Sequence, residues 1–299
     1  MKSVYLFAIL YFLPGVLVAQ QKISLEQLRS RIIEQMNIID GEYSIAFRTL
    51  SDSTEEILIN EHSIFHAAST MKTAVMIEAF RQHYEGIINL EDSVTVKNEF
   101  KSIVDGSRYE MDLNRDSGES LYESLGKNQS IRKLVYEMIT VSSNLATNLL
   151  IDIIGAENVQ KTIDKLGVRD MKVLRGVEDI KAFDQGLNNV TTAYDLMILF
   201  QSIASGTAVS EKASDEMTSI LLDQKFNEMI PAGLPSDAAC AHKTGSISGI
   251  QHDSGFIILP DGRRYILVIL CSNLQDNSQA IAAGAKVSLM IYDYLNKKL

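Results

Sequence analysis

Apolar residues first recur at helical spacing in Leu25, Leu28, Ile32, Ile33 and Met36, with Glu26 and Glu34 turned the other way, which predicts a helix from Ser24 through Met36. The period then changes to two. Tyr43, Ile45 and Phe47 share the buried face of a strand over 43–48, with Ser44, Ala46 and Arg48 on the other. Ser51-Asp52-Ser53 reads as a turn and Glu56 to Asn60 as the returning strand. Phe65 to Phe80 is apolar, lacks Gly and Pro, and predicts a buried helix that begins near Ser69. Residues 97–129 are polar and irregular. Helices follow over 131–140, 144–154 and 157–166, the last two ended by Gly155 and Gly167. Residues 173–189 lack a clear period, as functional or disordered loops do. Thr191-Thr192 and Ser210 open two further helices, through Ser202 and Leu222.

The C-terminal part changes character. Ala239 to Thr244, Ser254 to Leu259 and Tyr265 to Ser272 are strand runs, Pro260-Asp261-Gly262-Arg263 is a hairpin turn, and Gln279 to Leu295 is a closing helix. The two terminal strand groups give one antiparallel sheet of five strands, flanked by helices, with an all-helical lobe inserted between them. The predicted class is α+β, with an α/β lobe of 22–68 and 225–299 and a helical lobe of 69–224. The lobes meet where the Ser69 helix leaves the sheet, and such clefts are preferred ligand sites.

Composition changes little in this picture. The chain has 299 residues and a net charge of −10, so a general electrostatic field for nucleic acid or anionic membranes is lacking. The start, Met1-Lys2-Ser3 followed by an apolar run to Val18 and then Ala19, predicts a signal peptide over 1–19 and an exported, periplasmic or secreted chain of 20–299. No other run is long and apolar enough to span a bilayer, and no cysteine near the cut offers a lipid anchor. The two cysteines, Cys240 and Cys271, read either as one disulfide or as two buried apolar thiols. No metal-ligand spacing links the histidines or cysteines, and neither metal nor cofactor is expected. Monomer is the expected state.

Three short motifs carry chemistry. Ser69 and Lys72 lie three apart at a helix start, so they share a face. Burial disfavours a charged lysine, and a neutral lysine beside a serine makes a nucleophile pair. Ser-x-x-Lys also arises by chance, and Ser is a common helix cap. Val141-Ser142-Ser143-Asn144 lies between two helices, where Ser142 can relay a proton and Asn144 can hold an amide; Ser-Ser-Asn is equally an ordinary helix start. His242-Lys243-Thr244-Gly245-Ser246 ends a strand. Lys243 and Thr244 suit a substrate carboxylate, Gly245 permits close backbone approach, and the N–H groups of Ser246 and Ser69 suit an oxyanion. The plain alternative for Lys243 is an edge-strand lysine that guards against aggregation.

In this order the three motifs resemble the class A β-lactamase family of penicillin-recognising serine enzymes, over roughly Ser24 to Leu299. The resemblance implies that Ser69 is the acylated nucleophile and Lys72 its proton partner. It further implies that Ser142 relays protons, Asn144 holds the substrate amide, and Lys243 and Thr244 hold the carboxylate. It also implies that the strands of Cys240 and Cys271 are separated by the strand around Phe256, leaving two free, buried thiols.

The match departs from the family at three places. Ser143 replaces the family's aspartate. The loop Leu174 to Asp184 lacks the proline that follows the family's general base, and Ala182 stands at the water-holding asparagine. Glu178 has the family's spacing from Ser142 and is the expected base, with Asp179 and Asp184 as rivals; all three also fit loop pins to Arg175 or Lys181. The arginine that helps hold the carboxylate is missing. Arg263 and Arg264 sit at a hairpin tip, and His252 is either a weak substitute or a structural partner of Asp253. The expected activity is β-lactam hydrolysis. The alternatives are a penicillin-binding D-alanyl-D-alanine peptidase or esterase acting on a cell-wall peptide, and a non-catalytic cell-wall binder.

Overall fold

Ser24 opens the first helix, α1 (Leu25–Met36), with a full capping box: Gln27 N donates to Ser24 Oγ and Ser24 N to Gln27 Oε1. The computed structural model describes residues 23–50 and 55–297. The expected signal segment over 1–19 and the turn at Ser51-Asp52-Ser53 lie outside the described residues. Among the described residues no helix is long and apolar enough to cross a membrane.

The fold is α+β around one five-stranded antiparallel sheet. Its strands are β1 (Glu42–Thr49), β2 (Glu56–Ile59), β3 (Ala239–Ile247), β4 (Ile250–Ile258) and β5 (Arg264–Ser272), in the order β2-β1-β5-β4-β3. Strands β3 and β4 are longer than the sequence suggests, because Gly249 supplies the positive φ for a tight turn between them. The motif around Lys243 therefore lies within an edge strand, and Gln251, His252 and Asp253 lie within its neighbour. The turn at 260–263 forms as expected, closed by Gly262 N donating to Leu259 O.

One face of the sheet, with Ile45, Phe47, Leu267 and Ile269, packs on α1 and on the C-terminal helix Asn277–Lys297. The other face is also covered. Ser44 and Ala46, expected on the less buried side, are fully buried, because helices of the central block lie against Ala46, Ile266 and Val268. Cys240 on β3 and Cys271 on β5 are free, with β4 between them. Cys271 is buried. Cys240 is only half-buried, a correction to the expected pair of buried thiols that follows from its place on the edge strand.

The central block holds α2 (Lys72–Tyr84), α3 (Ile131–Thr140), α4 (Asn144–Ile154), α5 (Ala156–Lys165), α6 (Ile180–Asp184), α7 (Ala193–Ala204) and α8 (Glu211–Leu222); the C-terminal helix is α9. Ser143, Thr192 and Ser210 cap α4, α7 and α8 through their side chains. Every residue from Lys72 to Phe80 is buried. Met76, Ile77 and Phe80 each contribute roughly 1.5–3 kcal/mol by burial, so an apolar core anchors the helix that carries Lys72. The short α6, which no periodicity announced, interrupts the irregular loop of 173–189.

Candidate active site

Ser69 lies in a 3-10 turn (Ala68–Met71) that runs directly into α2. Among the described residues, five non-glycine residues have positive φ, and three of them, Ala68, Ser142 and Glu178, line the cavities beside Ser69. Backbone held in that region costs energy and collects at functional sites.

Lys72 is fully buried and its Nζ donates to Ser142 O at 2.7 Å, Asn144 Oδ1 at 2.8 Å and Ser142 Oγ at 3.3 Å. Burial pulls its pKa down to about 7, although the negative charges of Asp116 and Glu178 act in the opposite direction. Lys243 is also fully buried. Its Nζ donates to Ser142 Oγ at 3.0 Å and Thr244 O at 2.9 Å, which rules out a solvent-facing guard at the sheet edge. Burial, and then the nearby Lys72, hold its pKa well below the usual lysine range. A hydroxyl oxygen accepts twice and donates once. With two lysines donating to it, Ser142 keeps its own proton free for the cavity. A side chain at Gly245 would put Cβ 3.2 Å from Ser69 N, so its absence lets β3 lie directly against the Ser69 turn.

The loop of 173–189 is fixed to the same helix as the second motif. Asn144 Nδ2 donates to Glu178 Oε1 at 2.8 Å, while its Oδ1 receives Lys72. One turn further along α4, Asn148 grips Val177 from both sides: Val177 N donates to Oδ1 at 2.6 Å, and Nδ2 donates to Val177 O at 3.0 Å. Asn144 and Asn148 are four apart and therefore share a helix face. Gly176 approaches so closely that a Cβ there would lie 2.2 Å from Asn148 Oδ1. Gly176→Ala should therefore dislodge Asn148 and lower stability by about 1–3 kcal/mol. Thermal melts check this; an unchanged Tm would show that the close approach of Gly176 to Asn148 does not hold the loop.

Ser69 stands between two cavities. One of about 320 Å³ is lined by Ser142, Asn144, Thr244 and Ser246; the other, about 610 Å³, by Glu178, Phe183 and Ile247. Both fall within the size range of small-molecule sites, and Arg115 borders both. The chain matches the beta-lactamase enzyme family over residues 25–295. The protein belongs to that family. It is 24% identical over 259 residues to the extended-spectrum beta-lactamase PER-1 of Pseudomonas aeruginosa, covering 83% of this chain and 81% of that protein. It is 22% identical to a beta-lactamase of Bacteroides uniformis, covering 97% and 98%. Among solved structures it resembles PBP-A (TM-score 0.77, 23% identical, 91% and 97% covered) and a beta-lactamase from Sphaerobacter thermophilus DSM 20745 (TM-score 0.77, 24% identical, 92% and 98% covered).

In this beta-lactamase-family chain the three motifs and Glu178 converge on one site. Of the rival carboxylates, Asp179 borders the larger cavity but is buried and spent on Ala182 N and Ile103 N, while Asp184 is exposed on α6, outside both cavities. Arg175 and Lys181 pin the loop by other means, Arg175 through Leu187 O and Asn188 Oδ1, Lys181 through Asp105. His252 does not replace the missing arginine. It is fully buried, accepts from Cys271 N and lies 3.0 Å from His66 O, and burial lowers its pKa to about 4. Asp253 pairs instead with His242. Arg263 and Arg264 are spent near the hairpin, on Asp261 and on Ala204 O. Among the described residues no group of three or more His, Cys, Asp and Glu is placed to hold a metal ion. Arg115, Asp116 and Asn148 were not singled out from sequence. Asn148 had one signal, a second asparagine four residues along the same predicted helix and so on the face of Asn144. Arg115 and Asp116 sit in an irregular segment that gave none.

Proposed function

We propose that the protein is an exported class A-like serine β-lactamase that opens the β-lactam amide through an acyl-enzyme on Ser69. In this reading residues 20–299 form one catalytic domain, monomeric, with the cleft between the 22–68 and 225–299 lobe and the helical lobe of 69–224. The observation that carries it is the chain of hydrogen bonds from buried Lys72 through Asn144 to Glu178 beside Ser69.

Neutral Lys72 takes the proton of Ser69 as Oγ attacks the lactam carbonyl. The N–H groups of Ser69 and Ser246 receive the oxyanion. Ser142 passes its proton to the lactam nitrogen as the C–N bond breaks, and recovers one from the lysines behind it. Lys243 and Thr244 hold the substrate carboxylate, whose charge favours the ammonium form of Lys243. Asn144 orients the substrate amide. Glu178 then removes a proton from water as the water oxygen attacks the ester carbonyl; the C–O bond to Ser69 breaks, and the proton held by Glu178 is returned to Ser69 Oγ, which restores both groups.

A second reading is a penicillin-binding D-alanyl-D-alanine peptidase or esterase, with the same nucleophile and slow release of β-lactams. It is favoured by Ala182, which is fully buried and lines neither cavity, so no side chain there holds water for Glu178.

Turnover of a chromogenic cephalosporin, followed together with the intact mass of the protein, separates the two. Rapid turnover without a persistent adduct supports the β-lactamase. A long-lived adduct in the unaltered protein supports the second reading, and neither adduct nor turnover excludes both. The acylation rate should carry an acid limb near pH 7, because Lys72 acts as a base only when unprotonated and its pKa is about 7. The rate rises as pH passes upward through that value. A flat profile between pH 5 and 8 would remove Lys72 as the base.

A further inference from the structure

Asp116 follows a short 3-10 turn (Leu113–Arg115) and is buried, although both its neighbours are exposed. Its carboxylate meets only donors. Oδ1 accepts from Gly118 N and Asn144 N, both at 2.9 Å. Oδ2 accepts from Leu145 N at 2.8 Å, Tyr122 Oη at 3.1 Å and Ser143 Oγ at 3.4 Å. Two of these donors are the first backbone N–H groups of α4, where an anion is favoured by the helix dipole and by otherwise unpaired N–H groups. Such charge-assisted bonds are short and roughly twice as strong as neutral ones.

The geometry points to Asp116 as a positioning residue for the reaction: its carboxylate, arriving from outside the second motif, fixes the turn that aims Ser142 and Asn144 at Lys72. This inference rests on the acylation role proposed for Ser69. Ser143 caps α4 through Ala146 N but is too short to reach the first two N–H groups as well. The segment carrying Asp116 closes over it, and a Cβ on Gly118 would lie 2.4 Å from Ser143 Cβ. A carboxylate at 143 would meet that of Asp116, whereas a serine leaves room for it. The small residue at 143 and the carboxylate at 116 therefore form one arrangement. It explains how the site keeps its form although the motif lacks its aspartate.

Asp116 also contributes charge. Lys72 faces Glu178 from the loop, Asp116 from the turn and Lys243 from β3; the two carboxylates raise its proton affinity, while burial lowers it. Removing the Asp116 charge should therefore move the acid limb of acylation to lower pH, an effect that a purely structural cap would not produce.

The test measures the acylation rate of Ser69 by rapid-quench intact mass with a penicillin, across pH, for the unaltered protein, Asp116→Asn, Asp116→Ser and the double variant Asp116→Ser/Ser143→Asp. The expected result is a fall of about 10- to 100-fold in Asp116→Asn, with an acid limb shifted downward. The double variant should regain at least tenfold over Asp116→Ser. Folded variants that acylate at the unaltered rate with an unmoved limb overturn the inference, as does a double variant no faster than Asp116→Ser. Loss of folding in both Asp116→Asn and the double variant also overturns it, since the carboxylate then serves stability alone. If the unaltered protein forms no adduct, it is the acylation reading that has failed.

Discussion

Ser69→Ala should abolish both covalent labelling and turnover of β-lactams while leaving the protein folded. Ser69 is half-buried in a short turn and lines both cavities, so removing its hydroxyl takes away little packing. Everything behind it stays in place, because Lys72 is held by Ser142 and Asn144 rather than by the nucleophile. Loss of a nucleophile that forms the covalent intermediate costs about 10⁴-fold or more. The expected outcome is no mass adduct with a penicillin, kcat/KM at the limit of detection, and a Tm equal to or above that of the unaltered protein. An adduct of undiminished stoichiometry in Ser69→Ala would move the nucleophile elsewhere, with Ser142 the next hydroxyl to examine.

Glu178→Gln should separate the two halves of the reaction. Glutamine keeps an acceptor for Asn144 Nδ2, so the contact at 2.8 Å can persist while the base is lost. Acylation, which draws on Lys72, should survive. Hydrolysis of the ester should slow by about 10²- to 10⁴-fold, the usual contribution of a positioned general base. A penicillin should then burst to one adduct per chain and stall, with that adduct stable for minutes in intact-mass spectra. Asp179→Asn is the contrasting variant. Asp179 caps α6 and holds Ile103 N, so its loss should loosen the loop and lower Tm. Stalling in Asp184→Asn with normal release in Glu178→Gln would reverse the assignment.

What the sequence made legible is what local pattern governs. The caps at Ser143, Thr192 and Ser210 and the stops at Gly155 and Gly167 are where short-range chemistry required them. The burial of Lys72 could be read because an apolar run without Gly or Pro surrounds it. Errors arose where the decisive contact was remote. His252 was open to two readings, a weak substitute for the arginine or a partner of Asp253, because nothing local shows that Phe65 and the His66 carbonyl close over it while His242 takes Asp253. Asp116 could not be read because its partners lie on another helix, and a polar, irregular segment carries no period to align them. The departures in the second motif and in the loop were visible as substitutions. The contacts that Asp116 makes at Ser143 and Asn148 makes to the loop exist only in three dimensions.

The sheet order has a consequence for how the chain folds. Strand β1 pairs with β2 a few residues on, but its other neighbour is β5, where Tyr43 lies opposite Cys271. The whole helical block is threaded between these partners. Contacts so distant in sequence make loop closure slow and leave strand edges open in the interim. As the chain is made from its N-terminus, α2 can form and bury its apolar face early. Yet Lys243, Gly245 and Ser246 reach Ser69 only when β3 docks, and β3 is held in place through β4 and β5. The surroundings of Ser69 are thus completed last. A chain that stops short of its closing strands leaves Ser69 in an unfinished cleft and one edge of β1 unpaired, so premature termination should remove the whole site rather than weaken it.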